Sequence, residues 1–308
     1  MTHISRRRLL GLIAAGAAGA TLNPSAADVA PGMRKKPIPS SGEGIPVIGM
    51  GTWKTFNVGG DRQLRLDRTR VLGEFFRHGG GMVDCSPMYG SAGAVMGFAL
   101  AQLDNTDGLF AAEKVWTNNG SDTRQQIARL ESTWDIAPFD LMQIHNLVGW
   151  QAHLETVQAM KQEGSVRYIG ITTSHGRRHK ECERIMTRED IDFLQLTYSV
   201  TQREAERRLL PLARERGIAV IANRPYDHGP LIRRLKSREK VPEWAEQAFD
   251  CRTWADFLLR FIVSHPALTC AIPATTRVDH MNENMRAGAG PMPTPELRQR
   301  MARFIEAL

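Results

Sequence analysis

The chain has 308 residues, 42% of them hydrophobic, and its 40 Lys and Arg against 33 Asp and Glu give a formal net charge of +7. The excess is mild, dispersed along the chain and unaccompanied by a nucleic-acid motif, so it does not argue for a polyanion partner. The four cysteines, Cys85, Cys182, Cys251 and Cys270, show no CxxC or zinc-like spacing, and no metal site is expected.

The N-terminus opens with Ser5-Arg6-Arg7-Arg8-Leu9-Leu10, runs through an uncharged Ala/Gly-rich stretch to Leu22, and continues with Pro24 and Ser25-Ala26-Ala27. Paired arginines, a modest apolar run and an A-x-A-like end predict a twin-arginine (Tat) signal peptide over residues 1–27. The apolar run from Leu9 to Leu22 falls short of the roughly 20 residues an ordinary membrane span takes. The expected localisation is therefore periplasmic, or otherwise exported through the Tat machinery, which carries proteins already folded. Residues 28–43, rich in Pro, Gly and Ser, read as a flexible leader.

From residue 44 the pattern changes to alternation. Apolar strand-like runs are predicted at 47–49, 81–84, 109–114, 141–145, 166–171, 193–196, 218–222 and 268–272. Amphipathic helical patterns fall between them, at 66–77, 122–134, 151–162, 204–216 and 254–263, and more weakly at 92–102 and 179–186. Short apolar strands alternating with helices imply parallel βαβ units. Eight of them fit one (β/α)₈ TIM barrel over 44–308, and no GxGxxG follows the first strand as a Rossmann domain requires. Residues 278–286 and 295–308 read as two C-terminal closing helices. The charged stretch 229–244 reads as an insertion over the barrel mouth.

Four polar residues fall at the ends of these strands: Asp84 and Tyr89 in MVDCSPMYG, Lys114 in AAEKVW and His145 in DLMQIHN. In a closed barrel the carboxyl ends of all strands converge on one mouth. Their order and spacing, with IPVIGMGTW (45–53), DCSPMYGSAGAVMG (84–97), EKVW (113–116), QIHN (143–146), GSVRYIGIT (164–172) and IPATTRVDHMNEN (272–284), resemble the aldo-keto reductase family from Ile45 to about Arg286.

The resemblance implies an NAD(P)H-dependent oxidoreductase that reduces an aldehyde or ketone, with NADPH as the expected cofactor and NADH possible. It makes Tyr89 the proton donor and His145 the partner of the substrate oxygen. Lys114, held by Asp84, is expected to lower the tyrosine pKa from its ordinary value of about 10. Carried over by position, Thr172, Thr173, Gln195 and Asn223 meet the nicotinamide end of the cofactor. Thr275, Thr276 and Arg277 meet its adenosine phosphate ahead of a helix N-terminus, and Glu283 and Asn284 meet adenine. Trp53, Phe56 and Trp116 are expected to form the substrate pocket.

The chain departs from the family at four points. Thr172-Thr173 replaces a Ser-Asn pair, and Asn223 stands where an aromatic ring usually stacks on nicotinamide, with Tyr226 three residues on. Ala274 and His280 replace a common lysine and arginine, leaving Arg277 to supply the phosphate charge. A second reading stays open, since fold does not fix function: a cofactor-binding sensor or subunit with vestigial turnover.

Overall fold

The computed structural model describes residues 32–308 apart from 228 and 239. The expected signal peptide over 1–27 lies outside the described residues. A short antiparallel hairpin comes first, β1 (Lys35–Pro37) paired with β2 (Gly44–Pro46). Eight parallel strands follow: β3 (Met50–Gly51), β4 (Met82–Asp84), β5 (Phe110–Val115), β6 (Phe139–Ile144), β7 (Val166–Thr172), β8 (Phe193–Thr197), β9 (Ala219–Asn223) and β10 (Cys270–Ala271). Each pairs with its neighbour in chain order. The ring closes through a parallel bridge between Ile48 and Ala271, where Ala271 N donates to Val47 O at 2.9 Å and Gly49 N to Ala271 O at 2.8 Å. This is a (β/α)₈ barrel.

Helices cover its outer face: α1 (Arg62–Arg77), α2 (Ala92–Ala101), α3 (Thr123–Trp134), α4 (Trp150–Gln162), α5 (His179–Arg188) and α6 (Leu209–Arg216). They continue with α7 (Pro230–Arg238), α8 (Glu243–Phe249), α9 (Trp254–Val263), α10 (Val278–Arg286) and α11 (Pro295–Glu306). Local chemistry starts several of them. Asp61 accepts from Leu64 N at 2.9 Å, and Thr253 from Asp256 N at 3.2 Å, satisfying orphan donors of α1 and α9. Thr294 does the same for α11, with Pro295 in its first turn. Among the described residues no helix is long and apolar enough to cross a membrane.

The period-two alternation of a strand sends neighbouring side chains to opposite faces. Val83, Ala111, Met142 and Leu194 pack outward in the large layer between sheet and helices, whereas Met82, Phe110, Leu141, Tyr168 and Phe193 fill the barrel interior. Two or four residues further along the same inward faces come Asp84, Lys114, Gln143, Thr172 and Gln195. The interior is thus apolar below and polar at the carboxyl end. Gly170 belongs to this packing, because a Cβ there would lie 2.7 Å from Phe193 O.

The segment ahead of the barrel differs from expectation. Residues 35–43, read as part of a flexible leader, form the hairpin that plugs the amino end of the barrel. Ile38 and Ile45 join the interior cluster, and Lys36 Nζ donates to the carbonyls of Val263, His265 and Leu268 at 2.6–2.8 Å. The charged insertion is ordered as α7 and α8, with Leu231, Leu235, Ala245 and Phe249 buried. Their apolar positions recur at helical spacing, which the surrounding charge conceals.

Candidate active site

The four strand-end residues meet at the carboxyl end of the barrel. Asp84 ends β4, Tyr89 lies in the turn before α2, Lys114 sits near the end of β5, and His145 directly follows β6. Lys114 Nζ donates to Asp84 Oδ2 at 2.7 Å and to the Cys85 carbonyl at 2.5 Å. Asp84 Oδ1 accepts from Gln195 Nε2 at 2.7 Å and from Gln143 Nε2 at 3.1 Å. Both charges are buried and both carboxylate oxygens are satisfied, which is the condition for a buried ion pair to hold. The Lys114 ammonium lies 5.3 Å from the Tyr89 ring centroid. Tyr89 and His145 meet edge-on, with centroids 5.8 Å apart, and His145 Nδ1 is 2.8 Å from Ser86 Oγ.

Burial is the largest single influence on Lys114 and lowers its pKa. Asp84, Tyr89 and Glu113 together outweigh it and hold the ammonium above the ordinary lysine value. Burial, helped by the Lys114 charge, pushes His145 down to about 3, so the imidazole is neutral. Tyr89 corrects an expectation. The Lys114 charge does pull its pKa down, but burial is larger, and the net result is a rise to about 12. The ammonium acts in the expected direction, and desolvation sets the net sign.

A cavity of about 690 Å³ opens over this cluster. Trp53, Asp84, Tyr89 and His145 line it, and so do Thr275, Glu283 and Asn284 from the chain beyond β10. Residues 47–300 match the model of the aldo/keto reductase family. The chain belongs to that family. It is 26% identical over 246 residues to the NADH-specific methylglyoxal reductase of Escherichia coli (strain K12), covering 68% of this chain and 72% of that one. Its fold is similar to an aldo-keto reductase from Bacillus halodurans in the holo form, with a TM-score of 0.73, 21% identity and coverage of 89% and 96% of the two chains. It is also similar to an aldo-keto reductase from Klebsiella pneumoniae in complex with NADPH, with a TM-score of 0.73, 22% identity and coverage of 90% and 95%.

On this aldo/keto reductase barrel, most of the residues predicted to meet the cofactor line the cavity: Thr172, Thr173, Gln195, Asn223, Thr275, Glu283 and Asn284. Asn223 is tied down on both sides, donating to Thr173 O at 3.0 Å and accepting from Thr197 Oγ1 at 2.7 Å. Tyr226 donates to Asn284 Oδ1 at 2.5 Å, which fixes it beside α10. Thr276 and Arg277 lie outside the cavity lining. Thr276 O accepts from Arg68, and the Arg277 guanidinium is engaged with Asp279 through both Nε and Nη2.

Of the three expected pocket aromatics only Trp53 lines the cavity. Phe56 is fully buried in the outer core, because the chain after Trp53 turns back onto the helices. Trp116 is 44% exposed, and its backbone is pinned to the Gln126 side chain away from the cavity. Sequence reasoning missed Ser86, Gln143 and Arg224. The two-residue spacing from Leu141 to Gln143 and His145 was a usable signal for Gln143. Among the described residues no three His, Cys, Asp or Glu are grouped to hold a metal ion.

Proposed function

We propose that this protein is an NAD(P)H-dependent reductase of an aldehyde or ketone, with Tyr89 as proton donor. The observation that carries the proposal is the convergence of Tyr89, His145 and the buried Asp84–Lys114 pair on one cavity. The residues present fit a dinucleotide. Thr172, Thr173 and Gln195 line the cavity together with the tyrosine, and Thr275, Glu283 and Asn284 line it next to α10, whose first amides favour an anion. The Klebsiella structure holding NADPH and the NADH-specific relative support a nicotinamide cofactor, without deciding between the two forms.

When bound, the reduced nicotinamide supplies a hydride to the carbonyl carbon. Tyr89 then transfers its proton to the carbonyl oxygen. With a pKa near 12 the hydroxyl is protonated throughout the neutral range, and the Lys114 charge stabilises the phenolate that forms as the proton leaves. His145 is neutral, and its Nδ1 is paired with the Ser86 hydroxyl; with that hydroxyl as donor, the ring proton sits on Nε2. That N–H stabilises negative charge on the reacting oxygen without competing as an acid. Asp84, fixed by Gln143 and Gln195, keeps Lys114 charged.

NADPH and NADH oxidation with a reactive aromatic aldehyde, by the wild type and Tyr89→Phe, tests the assignment. Consumption that falls about 10²-fold or more in the variant is expected. Tight cofactor binding without turnover in the wild type would favour a sensor or subunit. We also propose that the protein is exported through the Tat pathway, on the strength of Arg6-Arg7, the apolar run to Leu22 and Ser25-Ala26-Ala27.

A further inference from the structure

The cavity is cationic around Trp53. Lys54 and Arg224 bracket the indole, with Lys54 Nζ 4.5 Å and the Arg224 guanidinium carbon 5.5 Å from the ring centroid. Arg233 and Lys236, three residues apart on α7, line the same cavity. The carboxylates in the lining are Asp84 and Glu283, and Asp84 is already committed to Lys114.

Arg224 stands out within this set. It is partly buried, and among the described residues no carboxylate lies within 4.0 Å of it and no hydrogen bond serves its guanidinium. Asp227, whose charge reaches it, is hydrogen-bonded instead to Gln202 at 3.2 Å. Burial leads the effects that lower its pKa to about 10. The backbone is strained as well. Arg224 has φ +53°, a left-handed conformation unfavourable for a bulky residue. It lies between the anchored Asn223 and the buried Pro225, and a following proline by itself favours extended backbone.

A partly desolvated guanidinium without a counter-ion is a receptor for an anion, and its planar fork suits a carboxylate or a phosphate. Both chemistries are available here, from a substrate or from the cofactor's pyrophosphate. The position favours the substrate, because Arg224 packs on the pocket wall Trp53 and lines the cavity that Tyr89 and His145 share. We propose that Arg224 is a specificity-determining residue that binds an anionic group on the substrate, so that the carbonyl compound reduced is a carboxylate-bearing aldehyde or ketone. This rests on the reductase reading above. Trp53, flat and apolar, covers the body of such a substrate while Arg224 holds its charged end.

The test compares 4-carboxybenzaldehyde with benzaldehyde on the wild type, Arg224→Gln and Arg224→Lys, with NADPH affinity measured separately by calorimetry. The wild type is expected to prefer the carboxylated aldehyde in kcat/KM, mainly through KM. In Arg224→Gln that preference should shrink by roughly 10–100-fold, and Arg224→Lys should restore part of it. Absence of a preference in the wild type overturns the proposal. An equal loss on both aldehydes with weakened NADPH binding also overturns it, assigning Arg224 to the cofactor phosphates. If the wild type reduces neither aldehyde, the reductase reading fails, and calorimetry with benzoate and benzamide decides the anion site. Benzoate-selective binding that is lost in Arg224→Gln sustains the site, and its absence refutes it.

Discussion

Glu113 shows how one residue links the site to stability. It precedes Lys114 on β5 but faces the opposite side of the sheet, fully buried, with Oε2 accepting from Lys114 N at 2.9 Å and Oε1 lacking a partner among the described residues. Burial raises its pKa to about 7, and the Lys114 charge opposes the rise without cancelling it. A carboxyl whose folded pKa exceeds its unfolded value binds more protons in the native state. Its stabilisation is complete below about pH 4.5 and is lost as pH climbs through 7, a loss of about 3 kcal/mol. Thermal unfolding should therefore show Tm falling between pH 5 and 8, and Glu113→Gln should flatten that slope. An unchanged slope in the variant would assign it to another group. At this scale the sequence was partly legible. Asp84, Lys114 and His145 could be picked out because a charged or polar residue ending an apolar strand has few packing explanations. The sign of the Tyr89 shift, the burial of Phe56 and the Arg277–Asp279 pair were not legible, since each depends on what surrounds the side chain in space.

Among the elements, the hairpin and the barrel's polar end have separate duties. Ile38 sits fully buried among Met82, Phe110 and Phe193 at the amino end, while the reacting groups lie at the carboxyl end. Ile38→Ala should cost about 2–5 kcal/mol by leaving a cavity beneath the interior cluster. Denaturant titration reads that cost, and cofactor oxidation by the folded variant should match the wild type. A variant that unfolds normally but turns over slowly would show that the plug shapes the site. The strands were legible from apolar runs three to six residues long, with ends displaced by at most two residues except at the first, where the run 47–49 lies just before β3 (Met50–Gly51). The region 204–216 was less so, because a 3₁₀ turn at Glu204–Arg207 precedes α6 where one continuous helix was expected. The hairpin was hidden because its Pro- and Lys-containing strands carry no apolar run; what holds it is the closed end of the barrel.

For the molecule as a whole, the proposed export would set a requirement jointly with catalysis. A Tat substrate travels folded, so a barrel that must enclose a dinucleotide can carry it out of the cytoplasm. Replacing Arg6-Arg7 with Lys-Lys should leave the full-length chain in the cytoplasmic fraction, and cell fractionation reads the outcome directly; export unaffected by the change would refute the pathway. The sequence by itself determined the strand–helix alternation, the family and the residues that end each strand, because periodicity and local chemistry are written into short stretches of chain. Tertiary structure alone decided that Gln143 and Gln195 hold Asp84, that Trp53 lines the cavity while Phe56 and Trp116 do not, and that Arg224 lines it with no carboxylate partner among the described residues. Those outcomes depend on burial and on tertiary partners, Gln143 and Gln195 meeting Asp84 from 59 and 111 residues away, and desolvation acts only once the barrel has closed.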